Sequence, residues 1–215
     1  MSPDESVPPT PENPGDQRGP QPGGPEGAAG GGSADQGQSI QHSQVGARVP
    51  GGVGRGTYAT GMVVMTGQAE FVMDFLLRLS RPHSLAARVV TPVPVMPGFI
   101  AALQDNLGKY TARFGPPPVV PKDPAAQRPT IQDIYDDLKV PDDMLSGVYT
   151  NGLLIGHTPA EFCLDFLTNF YPHSAVSCRV IIAAPNLPHM IESLRNAHEQ
   201  YRRRLDNPFQ PPPVI

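Results

Sequence analysis

Tryptophan is absent from the 215 residues, and cysteine occurs only at Cys163 and Cys178. Two cysteines are too few for a disulfide framework of the kind that staples small secreted domains. Basic excess is missing as well. The formal charge is −4, which argues against a strongly basic nucleic-acid footprint. No apolar run approaches the ~20 residues needed to span a bilayer. The first residues lack the basic-then-apolar order of a secretory signal. The expected location is the cytoplasm, with no membrane partner. Aromatic residues are missing from the first 55 positions, where Pro, Gly, Ser, Gln and Asp dominate. Residues 1–55 are therefore expected to be a disordered arm, because such a composition buries too little apolar area to offset its ordering entropy.

What the chain does have is an internal repeat. The first copy is centred on Ala69-Glu70-Phe71-Val72-Met73-Asp74-Phe75-Leu76 and the second on Ala160-Glu161-Phe162-Cys163-Leu164-Asp165-Phe166-Leu167, an offset of 91 residues. The expected units are residues 56–115 and 147–207. They are joined by a linker, 116–146, and followed by a Pro-rich tail, 208–215. A lone unit of this size is marginal, and two packed together resolve that problem.

Within the first copy, Thr57 to Met65 is β-branched and apolar and reads as one strand. The Glu-Phe-x-x-Asp-Phe centre allows strand or helix. Alternation favours the strand, with Phe71, Met73 and Phe75 on one face and Glu70, Val72 and Asp74 on a partly polar face expected to stay wet. A Pro-His-Ser loop (His83, Ser84) leads to a third strand, Leu85 to Thr91. A helix from Pro97 or Gly98 to Phe114 carries Phe99, Ile100, Leu103, Leu107 and Tyr110 at helical spacing, with Gly115 just past its end. The second copy repeats the plan: strands at Val148–Ile155, 161–167 and 177–183, then a helix from Pro188 to Leu205. In the linker, Thr130 is a candidate N-cap for a short helix bearing Ile131, Ile134, Tyr135 and Leu138. The fold class is thus α+β: two β-β-β-α repeats packed as an intrachain pseudo-dimer behind a disordered arm.

These residues carry a family resemblance. Tyr58, Glu70-Phe71, Asp74-Phe75, Arg88-Val89 and the helix ending Tyr110-x-x-x-Phe114-Gly115 resemble the small bacterial proteins grouped as domain of unknown function 3467 (DUF3467). The second copy matches at Tyr149-x-Asn151, Thr158-Pro159-Ala160-Glu161-Phe162, Asp165-Phe166, Arg179-Val180 and Tyr201. It departs at Leu205-Asp206, where the family pattern has Phe-Gly. The first copy departs at Thr60 and at Thr66-Gly67-Gln68. The resemblance spans both copies and neither the arm nor the linker. It implies no activity. It does imply that a unit usually found singly dimerises, so this chain would be that dimer fused.

Candidate chemistry is sparse. Glu70 and Asp74, like Glu161 and Asp165, lie four residues apart on a strand, about 13 Å at ~3.3 Å per residue. That is too far for the ~5–10 Å carboxylate pair of glycosidase chemistry. Asp74 is expected instead to pair with Arg88 on the neighbouring strand, and Asp165 with Arg179. Cys163 and Cys178 correspond, at the 91-residue offset, to Val72 and Ala87 of the first copy, which suits buried free thiols. With His157, His83 and His173 they match no standard metal-ligand spacing, so no metal and no cofactor is expected. The glycines from Gly51 to Gly56 precede a strand and lack the Gly-Lys-Ser/Thr of a phosphate loop, so they read as linker. Arg202-Arg203-Arg204 complement the dipole of the last helix. With Arg195 they are also the candidate contact of the alternative function, a weak nucleic-acid binder. The leading expectation is a non-enzymatic interaction or assembly module whose partner is another protein. The places to search are those where the copies differ: the cysteines, the arginine run and the linker helix.

Overall fold

The computed structural model describes residues 47–119, 129–170 and 173–206, all within a unit running from Ser43 to Ile215. Among the described residues there are four helices and nine strands. In chain order they are α1 (Gly51–Gly54), β1 (Thr57–Ala59), β2 (Gly61–Thr66), β3 (Glu70–Leu77), β4 (His83–Pro92), α2 (Met96–Phe114), α3 (Ile131–Asp136), β5 (Leu138–Lys139), β6 (Val148–Tyr149), β7 (Gly152–His157), β8 (Glu161–Phe170), β9 (His173–Ala183) and α4 (Leu187–Asp206). The result is a mixed α+β structure of two repeat-like halves, each running through strands into a long helix.

The ambiguous centre is a strand in both halves. β3 pairs antiparallel with β2 and β4, and β8 with β7 and β9. The long helices begin and end where the residue chemistry directs. Pro97 sits in the first turn of α2, where its missing N–H costs nothing. Gly115 ends that helix at φ 82° and donates its N–H to the Thr111 carbonyl at 2.9 Å. Thr130 and Asp133 form a reciprocal capping box on α3. That helix stops at Asp136, so Leu138 lies in β5.

The first strand of each copy is not one strand. In the first copy the chain breaks at Thr60, and the two pieces join different sheets. β2 stays with β3 and β4, whereas β1 runs parallel to β9 of the other half, with Tyr58 opposite Ile181. β6 does the reverse and runs parallel to β4, with Tyr149 opposite Val90. One sheet is therefore ordered β1-β9-β8-β7. The other is β2-β3-β4, with β5 and β6 both on the free edge of β4. Each half lends its leading strand to the other, the intrachain counterpart of a domain swap.

The long helices cross over too. α2 packs on β7, α4 packs on β2, and the helices touch each other. Tyr110 of α2 donates its hydroxyl to the Pro159 carbonyl (2.7 Å), and Tyr201 of α4 donates to Gln68 (3.2 Å). These are equivalent bonds, each reaching the β-turn of the opposite half. One core joins the two halves. Phe71, Met73, Phe75, Phe99 and Leu103 share it with Phe162, Leu164, Phe166, Leu187 and Leu194, and Phe75 meets Phe166 at 5.6 Å between ring centroids. Buried Phe side chains each stabilise by about 1.5–3 kcal/mol. Drawn from both halves into one cluster, they give each marginal unit the core it lacks alone.

The repeat also begins earlier than Gly56. Arg48 forms a parallel bridge to Ala175, as Lys139 of β5 pairs with Ser84. Pro50 and Pro141 have matching backbones (φ −62°, ψ 144° and φ −66°, ψ 144°), and each opens a helical turn. The glycines expected as linker thus form a strap. Residues 47–55 belong to the folded unit, while 1–46 of the expected arm and the tail from 207 lie outside the described residues. Two further expectations are corrected. His83 and His173 begin strands and do not sit in loops, because the antiparallel pairing of β4 and β9 extends back through them. The Glu70-Val72-Asp74 face is covered at its Asp74 end: α3 and β5 fold over it there, placing Ile134, Tyr135 and Leu138 against Val63, Leu76 and Leu85, while Glu70 and Val72 stay partly exposed.

Candidate functional site

Asp74 and Arg88 stand directly opposite each other in the β3–β4 ladder, as Asp165 and Arg179 do in β8–β9. Each arginine forms a two-pronged bond. Arg88 Nε and Nη2 lie 2.7 Å from Asp74 Oδ1 and Oδ2, and Arg179 Nε and Nη2 lie 2.6 and 2.7 Å from Asp165 Oδ1 and Oδ2. The third nitrogen reaches the strap. Arg88 Nη1 donates to the Leu145 carbonyl and Arg179 Nη1 to the Gly54 carbonyl, both at 2.9 Å. The ion pair raises both guanidinium pKa values further, chiefly through the hydrogen bond to Asp74 in one case and to Asp165 in the other.

The strap and the arginine are fitted together through glycine. Gly56 and Gly147 both adopt positive φ (68° and 69°), a conformation that costs other residues roughly 1–2 kcal/mol. A Cβ on Gly56 would lie 2.9 Å from Arg179 Cγ, and one on Gly147 would lie 2.7 Å from Arg88 Cγ. The two arrangements meet at a cleft of about 210 Å³ lined by residues that pair off at the 91-residue offset, among them Val53 with Met144, Gly56 with Gly147, and Arg88 with Arg179. The cleft is therefore lined by equivalent residues of the two halves. Three of the five N–H donors of each arginine are taken, so the guanidiniums serve the fold and are poorly placed to hold an anion.

The halves differ on the outer faces of their sheets. On the first, Asp74 is fully buried and accepts the Tyr135 hydroxyl of α3 at 2.5 Å. Burial, then the bond to Asp74, pushes the Tyr135 pKa well above its usual 10.0. On the second, Asp165 retains 16% side-chain exposure and no tyrosine reaches it among the described residues. Leu154, the counterpart of Val63, is 51% exposed where Val63 is 8% exposed. The equivalent of Met65, which touches Tyr135 through its sulfur, is Gly156.

The remaining candidates are scattered. Cys163 faces outward beside Asp165, and Cys178 faces the core opposite Phe166, so the two thiols lie on opposite faces of one sheet and are free. Burial raises both thiol pKa values, that of Cys178 to about 11. His157 sits among Tyr110, Phe114 and Phe162. His83 accompanies Arg81 against Asp137. Among the described residues, no group of three His, Cys, Asp or Glu side chains converges as metal ligands. No helix among them is long and apolar enough to cross a membrane. Arg195, Arg202, Arg203 and Arg204 are exposed along α4, and nothing brings them to the ion pairs or the cleft. The strap escaped the sequence reading although its signal was present. Val49-Pro50-x-x-Val53-x-x-Gly56-x-Tyr58 aligns with Val140-Pro141-x-x-Met144-x-x-Gly147-x-Tyr149.

Comparison with known sequences adds the family. The family described as a protein of unknown function (DUF3467) matches twice, over residues 25–117 and 121–206. These matches reach upstream of each Tyr strand into the arm and linker, which the resemblance drawn from the motifs had left out. No curated protein and no solved structure matches the chain. The two matches cover well over half of the sequence and carry the crossed strands, both ion pairs and both long helices. The chain belongs to the DUF3467 family and holds its domain twice in tandem.

Proposed function

We propose that this chain is a non-enzymatic interaction or assembly module, built as an intrachain pseudo-dimer, whose second sheet binds a short amphipathic helix of another protein. One observation carries the reading. The outer face of the first sheet is covered by α3, and the equivalent face of the second leaves Leu154 half exposed. α3 itself indicates what fits there: a helix of about two turns with apolar residues one turn apart, and a hydroxyl donor aimed at Asp165 as Tyr135 is aimed at Asp74. Association through one sheet face leaves the shared core untouched, which suits a scaffold.

The test uses a fluorescein-labelled peptide of residues 129–140, the α3 segment, titrated onto the full chain by anisotropy. Saturable binding is expected. It should be lost in Leu154→Glu and weakened about tenfold when the peptide tyrosine becomes phenylalanine. No saturable binding, or binding indifferent to Leu154→Glu, overturns the proposal. Binding that appears only after deletion of residues 1–46 overturns the partner, because the chain itself then supplies the occupant. The alternative, weak nucleic-acid contact through Arg195, Arg202, Arg203 and Arg204, rests on their exposure. Such binding would weaken steeply with salt.

A further inference from the structure

A second place where the halves diverge lies far along the chain from Leu154, between the end of β3 and the start of α4. A cavity of about 180 Å³ opens there. Its floor is apolar: Phe75 and Met190 are buried, and Met62 packs against the core. Its rim carries hydrogen-bond donors. Arg78 follows β3, with its backbone N–H on Thr60 Oγ1 at 2.9 Å. Its guanidinium lies across Gly61, near enough that a Cβ there would sit 2.9 Å from Nη2. Asn186 directs its amide toward the Thr60 carbonyl at 3.5 Å. His189 stands in the first turn of α4, where the helix dipole adds positive potential. Among the described residues no carboxylate lines the cavity. Among the described residues Arg78 forms no ion pair, and the nearest acid to His189 is Glu192, 3.9 Å from its Nδ1.

The corresponding corner of the other half serves as an internal control. Its floor is kept, with Leu153, Phe166 and Phe99 in place of Met62, Phe75 and Met190. Its positive charge is gone, since Asn169, Val95 and Gly98 replace Arg78, Asn186 and His189 and leave the Asn169 amide as the one side-chain donor among the three. The backbone anchor is kept, with the Asn169 N–H on Asn151 Oδ1 at 2.7 Å where the Arg78 N–H meets Thr60 Oγ1, and the Asn151 amide adds a bond to the Asn169 carbonyl at 3.1 Å. The fold therefore needs the floor and not the cationic rim, and the rim occurs once.

We infer that this cavity binds a small organic carboxylate, its apolar body on Phe75 and Met190 and its carboxylate on Arg78 with Asn186 and His189. The size sets the class. At about 180 Å³ the cavity is below the ~300–1,000 Å³ of drug-sized sites, so it admits one ring or a short alkyl chain. An unpaired guanidinium beside a helix N-terminus selects the anion, and the apolar floor selects against a bare inorganic one.

Calorimetric titration of the full chain with benzoate and hexanoate tests this, with benzamide, hexanamide and inorganic phosphate as comparisons. Saturable binding of at least one carboxylate is expected, at least tenfold tighter than its amide and than phosphate. Arg78→Gln should weaken it tenfold or more. Gly61→Ala, which keeps the arginine but pushes it off its seat, should weaken it as well. Arg113→Gln, on the exposed end of α2, should leave it unchanged. Circular dichroism verifies that each variant folds. Failure of both carboxylates to bind, equal affinity for amide or phosphate, or indifference to Arg78→Gln overturns the inference.

Discussion

Removing the carboxylate from each half in turn tests how the two ion pairs differ. Asp74 is fully buried beneath α3, and its arginine is 17% exposed. Asp74→Ala strands the Arg88 charge and the Tyr135 hydroxyl around a carboxylate position that α3 buries fully. Breaking a buried pair from one side costs about 3–5 kcal/mol. Asp165 and Arg179 keep 16% and 23% side-chain exposure and have no tyrosine partner among the described residues. Water can re-solvate Arg179 there, so Asp165→Ala should cost about 1–3 kcal/mol, the range for hydrogen bonds to charged groups. Against a total stability of about 5–15 kcal/mol, the first is severe and the second moderate. With a urea slope of about 2 kcal/mol per molar, a difference of about 2 kcal/mol separates the two midpoints by about 1 M. Far-UV circular dichroism and tyrosine fluorescence both report the transition, since no tryptophan is present. Replacing both partners, Asp74→Leu with Arg88→Met, should recover part of the loss, because it removes the charge left behind. A simple charge swap should recover less, because the Tyr135 hydroxyl and the Leu145 carbonyl are already oriented for the native order. Equal midpoints for the two single variants, or a shift below about 0.3 M for Asp74→Ala, would refute the claim that α3 makes the first pair the costly one.

Two further outcomes follow from perturbed groups. At pH 8 a thiol with a pKa of about 11 is ionised in only about one molecule in a thousand. Cys178 should therefore resist iodoacetamide in the folded chain and react readily in urea, and rapid native labelling would contradict its placement in the core. Tyr135 holds its proton more tightly when folded than when unfolded. Its contribution is thus complete below about pH 10 and declines as pH rises further. The wild type should lose more stability than Tyr135→Phe between about pH 9.5 and 11.5, and parallel curves would show that the hydroxyl is not closed in.

Much of the secondary structure was legible because side-chain period reports it directly. Alternation from Phe71 to Phe75 marks β3, the stripe from Phe99 to Tyr110 marks α2, and Thr130 with Asp133 marks the start of α3. Asp74 beside Arg88 was expected as an opposite-charge pair on neighbouring strands, and the register places the two directly across from each other. The strap did not emerge, because Gly51 to Gly56 has linker composition and composition outweighed the matching Val-Pro and Gly-x-Tyr positions. The buried outer face of the first sheet was missed for a different reason. Asp74 looks solvent-facing in a single strand, and only a helix from another part of the chain buries it. The cavity at Arg78 was invisible because its residues come from both halves.

By itself the sequence determined that a unit occurs twice, which segments are extended and which helical, and which face of each is apolar. These are local properties, set by the spacing of side chains along a few turns or pleats. The tertiary structure alone decided which sheet receives each leading strand. Thr57-Tyr58-Ala59 can pair in parallel with Val89-Val90-Thr91 of its own copy or with Val180-Ile181-Ile182 of the other. Those two partners are both β-branched throughout, so no pattern in the strand distinguishes them. The choice falls to chain geometry: the break at Thr60, the positive φ of Gly56 and the Arg179 anchor on Gly54 carry β1 across to β9. The same crossing, repeated at Gly147 and Arg88, binds the two copies into one core.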